Sequence, residues 1–184
     1  MASNSKVRMT YQAKLVDCAH KALRLVAISL LFLDLAANCH AKNNCPWLNE
    51  ATASGLLGAD AVGDFTAAST GQPAVCTFTQ TAANFTRTLR ITVEVTPDTH
   101  ARLQAAAQTC GKSAEPMQAI GNEASMCSLE NHNASSGEFV AGRVRDQLFT
   151  ITFTTTLKDD PILTRAALKD KAHIAAEQVS GNLF

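Results

Sequence analysis

The stretch EFVAGRVRDQLFTITFTTT, residues 138–156, decides the fold that this chain is predicted to have. Apolar residues alternate with threonines through its second half, and these apolar residues are Phe149, Ile151 and Phe153. A period of two gives a strand one buried face and one wet face. Residues 139–144 are a second strand candidate, and the polar residues 145–147 separate the two segments. The stretch therefore predicts a β-hairpin whose second strand is central to a sheet.

Three other segments of the chain have the composition of strands. Residues 88–95 alternate most regularly and would turn Leu89, Ile91, Val93 and Val95 inward. Residues 74–79 and 125–130 are shorter candidates. One wet face on each strand favours an antiparallel sheet, because parallel strands are usually buried on both faces.

Three helices are predicted around these strands. The first opens near Asn44-Cys45-Pro46 and stops at Gly58, the second spans residues 98–109, and the third runs from Asp159-Asp160-Pro161 to Gly181. Three segments are predicted to be loops: the small, polar and glycine-rich residues 59–73, residues 112–121, and the polar residues 131–137. The resulting fold class is α+β, with an antiparallel sheet of about five strands flanked by helices and stapled by disulfides.

Length and composition fit one globular domain. The chain has 184 residues, of which 46% are apolar and 17% are charged, and its formal net charge is zero. A balanced charge predicts no nucleic-acid partner, since affinity for phosphate backbones comes largely from an excess of Lys and Arg. We expect a single α+β domain over residues 42–184.

The first 41 residues have the pattern of a secretory signal peptide. Lys21 and Arg24 precede the apolar run of residues 25–33, and small residues follow at Ala36, Ala37 and Ala41. Nine apolar residues are too few to span a bilayer, which takes about 20. The sequence therefore predicts an exported protein, periplasmic or extracellular.

Two ways of processing this leader are open. Cleavage after Ala41 would release a soluble chain that begins at Lys42. Residues 35–39, LAANC, are similar to a lipobox, in which Cys39 would be acylated and would anchor the protein to a membrane. Asn38 stands where a lipobox prefers a small residue, so the sequence favours the soluble form.

Four cysteines are left after the leader: Cys45, Cys76, Cys110 and Cys127. An even number in an exported chain indicates two disulfides, for which three pairings are possible. We favour Cys45 with Cys76 and Cys110 with Cys127. A metal site is disfavoured, because no two of the four have the close spacing of zinc ligands.

No catalytic signature is found in the sequence. There is no Gly-x-Ser-x-Gly elbow, and His100, His132 and His173 share no helix face at a spacing of four. The sequence gives no catalytic residue, no metal ligand and no cofactor site. It favours a non-enzymatic protein.

Several short motifs together resemble a known family. They are Cys45-Pro46-Trp47-Leu48 with Leu56-Leu57-Gly58, Cys76-Thr77-Phe78, Ile120-Gly121-Asn122-Glu123-Ala124, and the closing hairpin and helix. These motifs are similar to those of small secreted or lipid-anchored bacterial proteins of unknown function, related in fold to PsbP-like α/β proteins. The resemblance covers most of residues 44–183. It implies a sheet flanked by helices, a Cys45–Cys76 bridge and a structural turn at residues 121–124, and it supplies no catalytic residue.

The sequence leads to one main hypothesis and two alternatives. The main hypothesis is an exported domain that binds a protein, a peptide or a small ligand at the bacterial cell envelope. The alternatives are an extracytoplasmic hydrolase of a type that the sequence does not reveal, and an accessory subunit of an envelope complex. Contact with a membrane is expected only through a lipid on Cys39.

Overall fold

One antiparallel sheet organises the part of the chain that the structure, a computed structural model, describes: residues 44–130 and 136–184. Within these ranges the sheet has seven strands in the order β1-β2-β3-β7-β6-β5-β4. The predicted leader, with Cys39, lies outside the described residues, and so does His132.

The strands are β1 (Val62–Thr66), β2 (Ala74–Ala82), β3 (Phe85–Val95), β4 (Glu115–Pro116), β5 (Glu123–Glu130), β6 (Ser136–Val144) and β7 (Gln147–Thr155). The α-helices of the described residues are α1 (Glu50–Leu57), α2 (Thr99–Ala107) and α3 (Arg165–Leu183). A 3₁₀ helix, Gln108–Ser113, follows α2 directly.

Strand β7 is the middle strand of the seven, which confirms the prediction from residues 138–156. It pairs with β3 on one side and with β6 on the other. The predicted hairpin is formed by β6 and β7, in which Val144 pairs with Gln147 around the two turn residues Arg145 and Asp146. Arg145 has a φ of 56°, the left-handed conformation that two-residue hairpin turns favour.

The main core lies between one face of the sheet and the helices α1 and α3. Phe149, Ile151 and Phe153 are completely buried there. The helix α3 contributes the apolar stripe that its sequence predicts, and every member of it is buried: Leu168, Ala172, Ala175, Val179 and Leu183. Small alanine side chains let the helix lie close to the sheet, as dense packing of a core requires.

A smaller core lies on the opposite face of the sheet. Leu103 of α2 packs there with Phe139, Ala141 and Leu148, next to the buried cysteines 110 and 127. Elsewhere on this face the threonines of β2, β3 and β7 are partly buried or exposed. The alternation of apolar residues and threonine in the sequence therefore predicts correctly which face of the sheet is buried in the main core.

The predicted count of about five strands is wrong, because two short edge strands lie in segments predicted to be loops. Strand β1 falls within residues 59–73 and strand β4 within residues 112–121. The five residues of β1 include a glycine and an aspartate, so they lack an apolar pattern. Tertiary contacts hold β1 in place: the Glu50 carboxylate of α1 accepts the Gly63 N–H at 2.7 Å.

Two helices begin later than predicted. Helix α1 begins at Glu50, where the Asn49 side chain accepts the Thr52 N–H at 2.8 Å, and not near Asn44 or Cys45. Helix α3 begins at Arg165 after the N-cap Thr164 and ends at Leu183, beyond Gly181. Asp160 does not cap α3, because its carboxylate is held by an arginine on β3.

Candidate ligand groove

A groove of about 520 Å³ opens at the end of the sheet where β2 starts and β3 runs on past it. Its volume is within the range of about 300–1,000 Å³ that is usual for sites binding small ligands. The residues that line it are Trp47, Ala68, Ser69, Gly71, Gln72, Pro73, Ala74, Val93, Glu94, Val95, Arg102 and Gln147. Trp47, Ala74 and Val93 are its buried apolar members, while a carboxylate, a guanidinium and amides supply polar groups.

The groove exists because neighbouring strands have different lengths. Strand β2 begins at Ala74, which pairs with Val93. Strand β3 continues for two more residues, Glu94 and Val95, and these pair only with β7. We call this open step, formed by Glu94 and Val95 beyond the start of β2, the notch.

The backbone of Val95 faces the notch. Thr96 donates its N–H to the carbonyl oxygen of Asp146 at 3.0 Å, on the β7 side. Backbone groups of consecutive residues in an antiparallel strand point to opposite sides, so the N–H and C=O of Val95 point away from β7. They point to where β2 would continue.

The loop before β2 does not supply a partner for Val95. Continued pairing of β2 with β3 would place Gln72 opposite Val95. Gln72 instead exchanges both of its backbone hydrogen bonds with Ser69, at 2.9 and 3.2 Å. Among the described residues, therefore, no backbone or side-chain group bonds the N–H or the C=O of Val95 in the notch.

Trp47 forms one wall of the groove and is fixed from three sides. The Cys45–Cys76 disulfide attaches the segment before α1 to β2, two residues away from the tryptophan. The indole meets the ring of Phe65 edge-on, with 6.0 Å between the ring centroids. Asn182 of α3 donates to the Trp47 carbonyl oxygen at 3.0 Å. The wall is thus a rigid aromatic surface.

The charged rim of the groove is an ion pair with unused donors. Nη2 of Arg102 donates to both carboxylate oxygens of Glu94, at 3.0 and 2.8 Å. The Nε and Nη1 groups of Arg102 have no partner among the described residues, and its side chain is 54% exposed. These donors are available to a second acceptor.

Another pocket is smaller and lies beside the same disulfide. It has a volume of about 190 Å³ and is lined by residues that include Asn44, Leu48, Glu50 and Asp64. The Glu50 carboxylate in this pocket accepts the Gly63 N–H of the edge strand β1. This pocket is below the usual size of a ligand site.

A buried ion pair far from the groove joins three elements. Arg87 of β3 binds Asp160 through two bonds of 2.7 Å and also donates to the Leu57 carbonyl oxygen at the end of α1. Burial alone would raise the pKa of Asp160, but the bonds from Arg87, from the Leu163 and Ile162 N–H groups and from Thr155 together hold that pKa well below its ordinary value. The cluster satisfies backbone groups, which indicates a structural role.

Glu138 of β6 is a second buried carboxyl group, with 2% of its surface exposed. Its carboxylate accepts the Ser128 hydroxyl at 2.6 Å. Burial raises the pKa of Glu138, although Ser128 and the positive charges of Lys169 and Arg165 lower it in part. Glu138 does not line the groove.

A histidine and a carboxylate that the sequence does not place together are in contact on the surface. His100 Nδ1 lies 3.0 Å from Glu123 Oε2, and Arg143 donates to the same oxygen at 3.2 Å. The side chains of His100 and Glu123 are 59% and 45% exposed, so they do not form the deep polar cleft that a hydrolase would require. His173 lies on α3 with Nε2 at 3.4 Å from Glu177 Oε1.

The four predicted disulfide cysteines are paired as the sequence favoured. Cys45 bonds to Cys76 and Cys110 bonds to Cys127, with Cα atoms 5.7 and 5.5 Å apart.

Within residues 44–130 and 136–184, no group of three or more potential metal ligands is found. No helix of those residues is both long enough and apolar enough to cross a bilayer.

The groove itself was not predicted. The regular alternation of residues 88–95 suggested that Val95 would be inward, but this side chain is 71% exposed because the sheet narrows beside it. The available signals were Pro73, which directly precedes β2, and Trp47 in the segment before the first helix. Neither signal identifies a groove without the register of β2 on β3.

Comparison of the chain with protein-family models, with curated proteins and with solved structures finds no match of any of the three kinds. The relation to PsbP-like proteins therefore stays a prediction from the sequence motifs.

Proposed function

We propose that this chain is an exported, non-enzymatic domain of the bacterial cell envelope that binds its ligand in the groove beside the notch. The single observation that carries the proposal is the groove: it combines a fixed aromatic wall, an apolar floor and unused polar groups in a volume of about 520 Å³. Sites of this kind bind the apolar part of a ligand by burial and orient it through a few polar contacts.

Export is supported by the sequence of the first 41 residues and by two disulfides, since disulfides persist mainly in oxidising compartments. Mass spectrometry of the mature N-terminus in the producing bacterium tests it. A free terminus at Lys42 supports a soluble exported protein, an acylated Cys39 supports an anchored one, and an uncleaved leader contradicts export.

Binding can be followed directly, because Trp47 is the chain's one tryptophan and lines the groove. We expect amphipathic peptides or small ligands to change the fluorescence of Trp47 and to raise the melting temperature. Ala68→Phe places a bulky ring in the groove and is expected to abolish both effects. Ala67→Phe is the matched control, because Ala67 is an exposed neighbour that does not line the groove.

A broad panel of peptides and small amphipathic ligands that leaves both signals unchanged would contradict the proposed site. Binding that is equal in the wild type and in Ala68→Phe would place the ligand elsewhere on the molecule.

A further inference from the structure

The notch offers a ligand a strand edge as well as an apolar surface. We propose that the groove binds an extended peptide that pairs with the backbone of Val95, places an apolar side chain against Trp47 and presents a carboxylate to Arg102. This inference rests on the proposed function and assigns the ligand to a chemical class.

The first reason is the free backbone at Val95. Its N–H and C=O face the notch, and among the described residues they have no partner. An extended peptide supplies one acceptor and one donor at the correct spacing, as in other cases where a peptide adds to the edge of a sheet. A small apolar molecule would leave the N–H and the C=O of Val95 without a hydrogen-bond partner.

The second reason is the apolar surface beside that edge. Trp47, Val93 and Ala74 lie on the floor and wall of the groove. Side chains of an extended peptide alternate in direction, so a residue next to the pairing residue can enter the groove while its neighbours face solvent. The exposed Val95 side chain adds apolar area at the same place.

The third reason is the charge at the rim. Arg102 uses only Nη2 for Glu94 and keeps Nε and Nη1 for another acceptor. A carboxylate fits these donors, and it could come from the C-terminus of the peptide or from an acidic side chain. Glu94 lowers the attraction for such a group, so its removal is expected to strengthen binding and removal of Arg102 to weaken it.

The probes are N-acetylated tetrapeptides that contain one Leu, Val or Phe, prepared with a free C-terminal carboxylate, with a C-terminal amide, or as an amide with an internal Glu. Titration is followed by the fluorescence of Trp47 in the full mature chain with both disulfides. Preference for the free acid identifies the peptide terminus as the source of the carboxylate. Preference for the internal Glu identifies the side chain, and equal binding of all three forms overturns the assignment to Arg102.

Three variants test the contacts. Val95→Pro removes the N–H that faces the notch and leaves the β7 ladder intact, and it is expected to weaken binding about three- to tenfold, as the loss of one hydrogen bond does. Arg102→Gln is expected to weaken binding to a similar degree, and Glu94→Gln is expected to tighten it about threefold. Val95→Ala is the matched control for the side chain and retains the backbone bonds.

A test on the peptide itself does not depend on the folding of a variant. Methylation of each backbone nitrogen of the peptide in turn should weaken binding at one position only. Equal affinity of all methylated peptides, or of Val95→Pro and Val95→Ala, overturns the pairing. Binding of octanoate but of no tetrapeptide would overturn the peptide assignment while leaving the groove as a ligand site.

Discussion

At the scale of single residues, the Arg87–Asp160 pair contributes stability to the fold that depends on pH. Both side chains are buried, and Asp160 also accepts the N–H groups of Ile162 and Leu163 at 2.9 Å. Asp160→Asn is expected to lower the free energy of unfolding by about 3–5 kcal/mol near neutral pH, because it leaves the guanidinium of Arg87 buried without a counter-charge. Urea denaturation of both proteins measures this difference.

The same pair has a predictable pH dependence. The pKa of Asp160 is lower in the folded state than its ordinary value of 3.8, so below that value the unfolded chain binds the additional proton. The stabilisation is complete above about pH 5 and is lost progressively as the pH falls below that value. The Asp160→Asn variant should not show this part of the loss of stability in acid. Asp159→Asn is the control, because Asp159 is an exposed neighbour. An acid limb that is identical in the wild type and in Asp160→Asn would contradict the prediction.

Glu138 acts on stability in the opposite direction. Its pKa is raised in the folded state, so the folded chain retains this proton to a higher pH than the unfolded chain. The contribution of Glu138 to stability therefore falls as the pH rises through its folded-state pKa. For this reason the acid limb of the wild type must be compared with that of Asp160→Asn and not interpreted alone.

At the scale of elements, the turn before β5 depends on one glycine. Gly121 has a φ of 56°, and a Cβ at this position would collide with the carbonyl oxygen of Arg143. Asn122 bonds to the same hairpin, since its N–H reaches that oxygen at 2.9 Å and its side chain accepts the Arg145 N–H at 2.7 Å. Gly121→Ala is expected to cost about 2–4 kcal/mol of unfolding free energy, measured by thermal or urea denaturation.

Gly55→Ala is the matched control for this substitution. Gly55 lies inside α1, and a Cβ there would meet no atom within 4 Å. Alanine should therefore stabilise the helix by about 0.5–1 kcal/mol. A Gly121→Ala variant as stable as the wild type would show that the turn does not require this conformation.

The elements that the sequence predicted are those whose own residues carry the pattern. Strands β3 and β7 alternate along their length, and α3 repeats its apolar residues at helical spacing, so local periodicity was sufficient. Strands β1 and β4 were missed because they have few residues and are held by other elements, as in the contact of Gly63 with Glu50. The notch escaped prediction because it depends on where β2 begins relative to the end of β3, which is a property of register.

At the scale of the whole molecule, the two disulfides have different positions relative to the groove. Cys45–Cys76 closes 31 residues and fixes the segment that carries Trp47, whereas Cys110–Cys127 closes 17 residues on the opposite face of the sheet. In the chain-entropy model, each bridge adds about 3–4 kcal/mol by restricting the unfolded state. Loss of either bridge should therefore lower the stability by a similar amount, but the two losses should differ in their effect on ligand binding.

Two double variants separate these contributions. Cys45→Ser/Cys76→Ser and Cys110→Ser/Cys127→Ser should each lower the free energy of unfolding by about 3–4 kcal/mol in urea denaturation. Only the first should weaken ligand binding at Trp47, because it frees the segment that holds the aromatic wall in place, and a wall that must be ordered on binding reduces affinity. Equal loss of binding in both variants, at a temperature where both are folded, would show that the groove depends on overall stability and not on the bridge beside it.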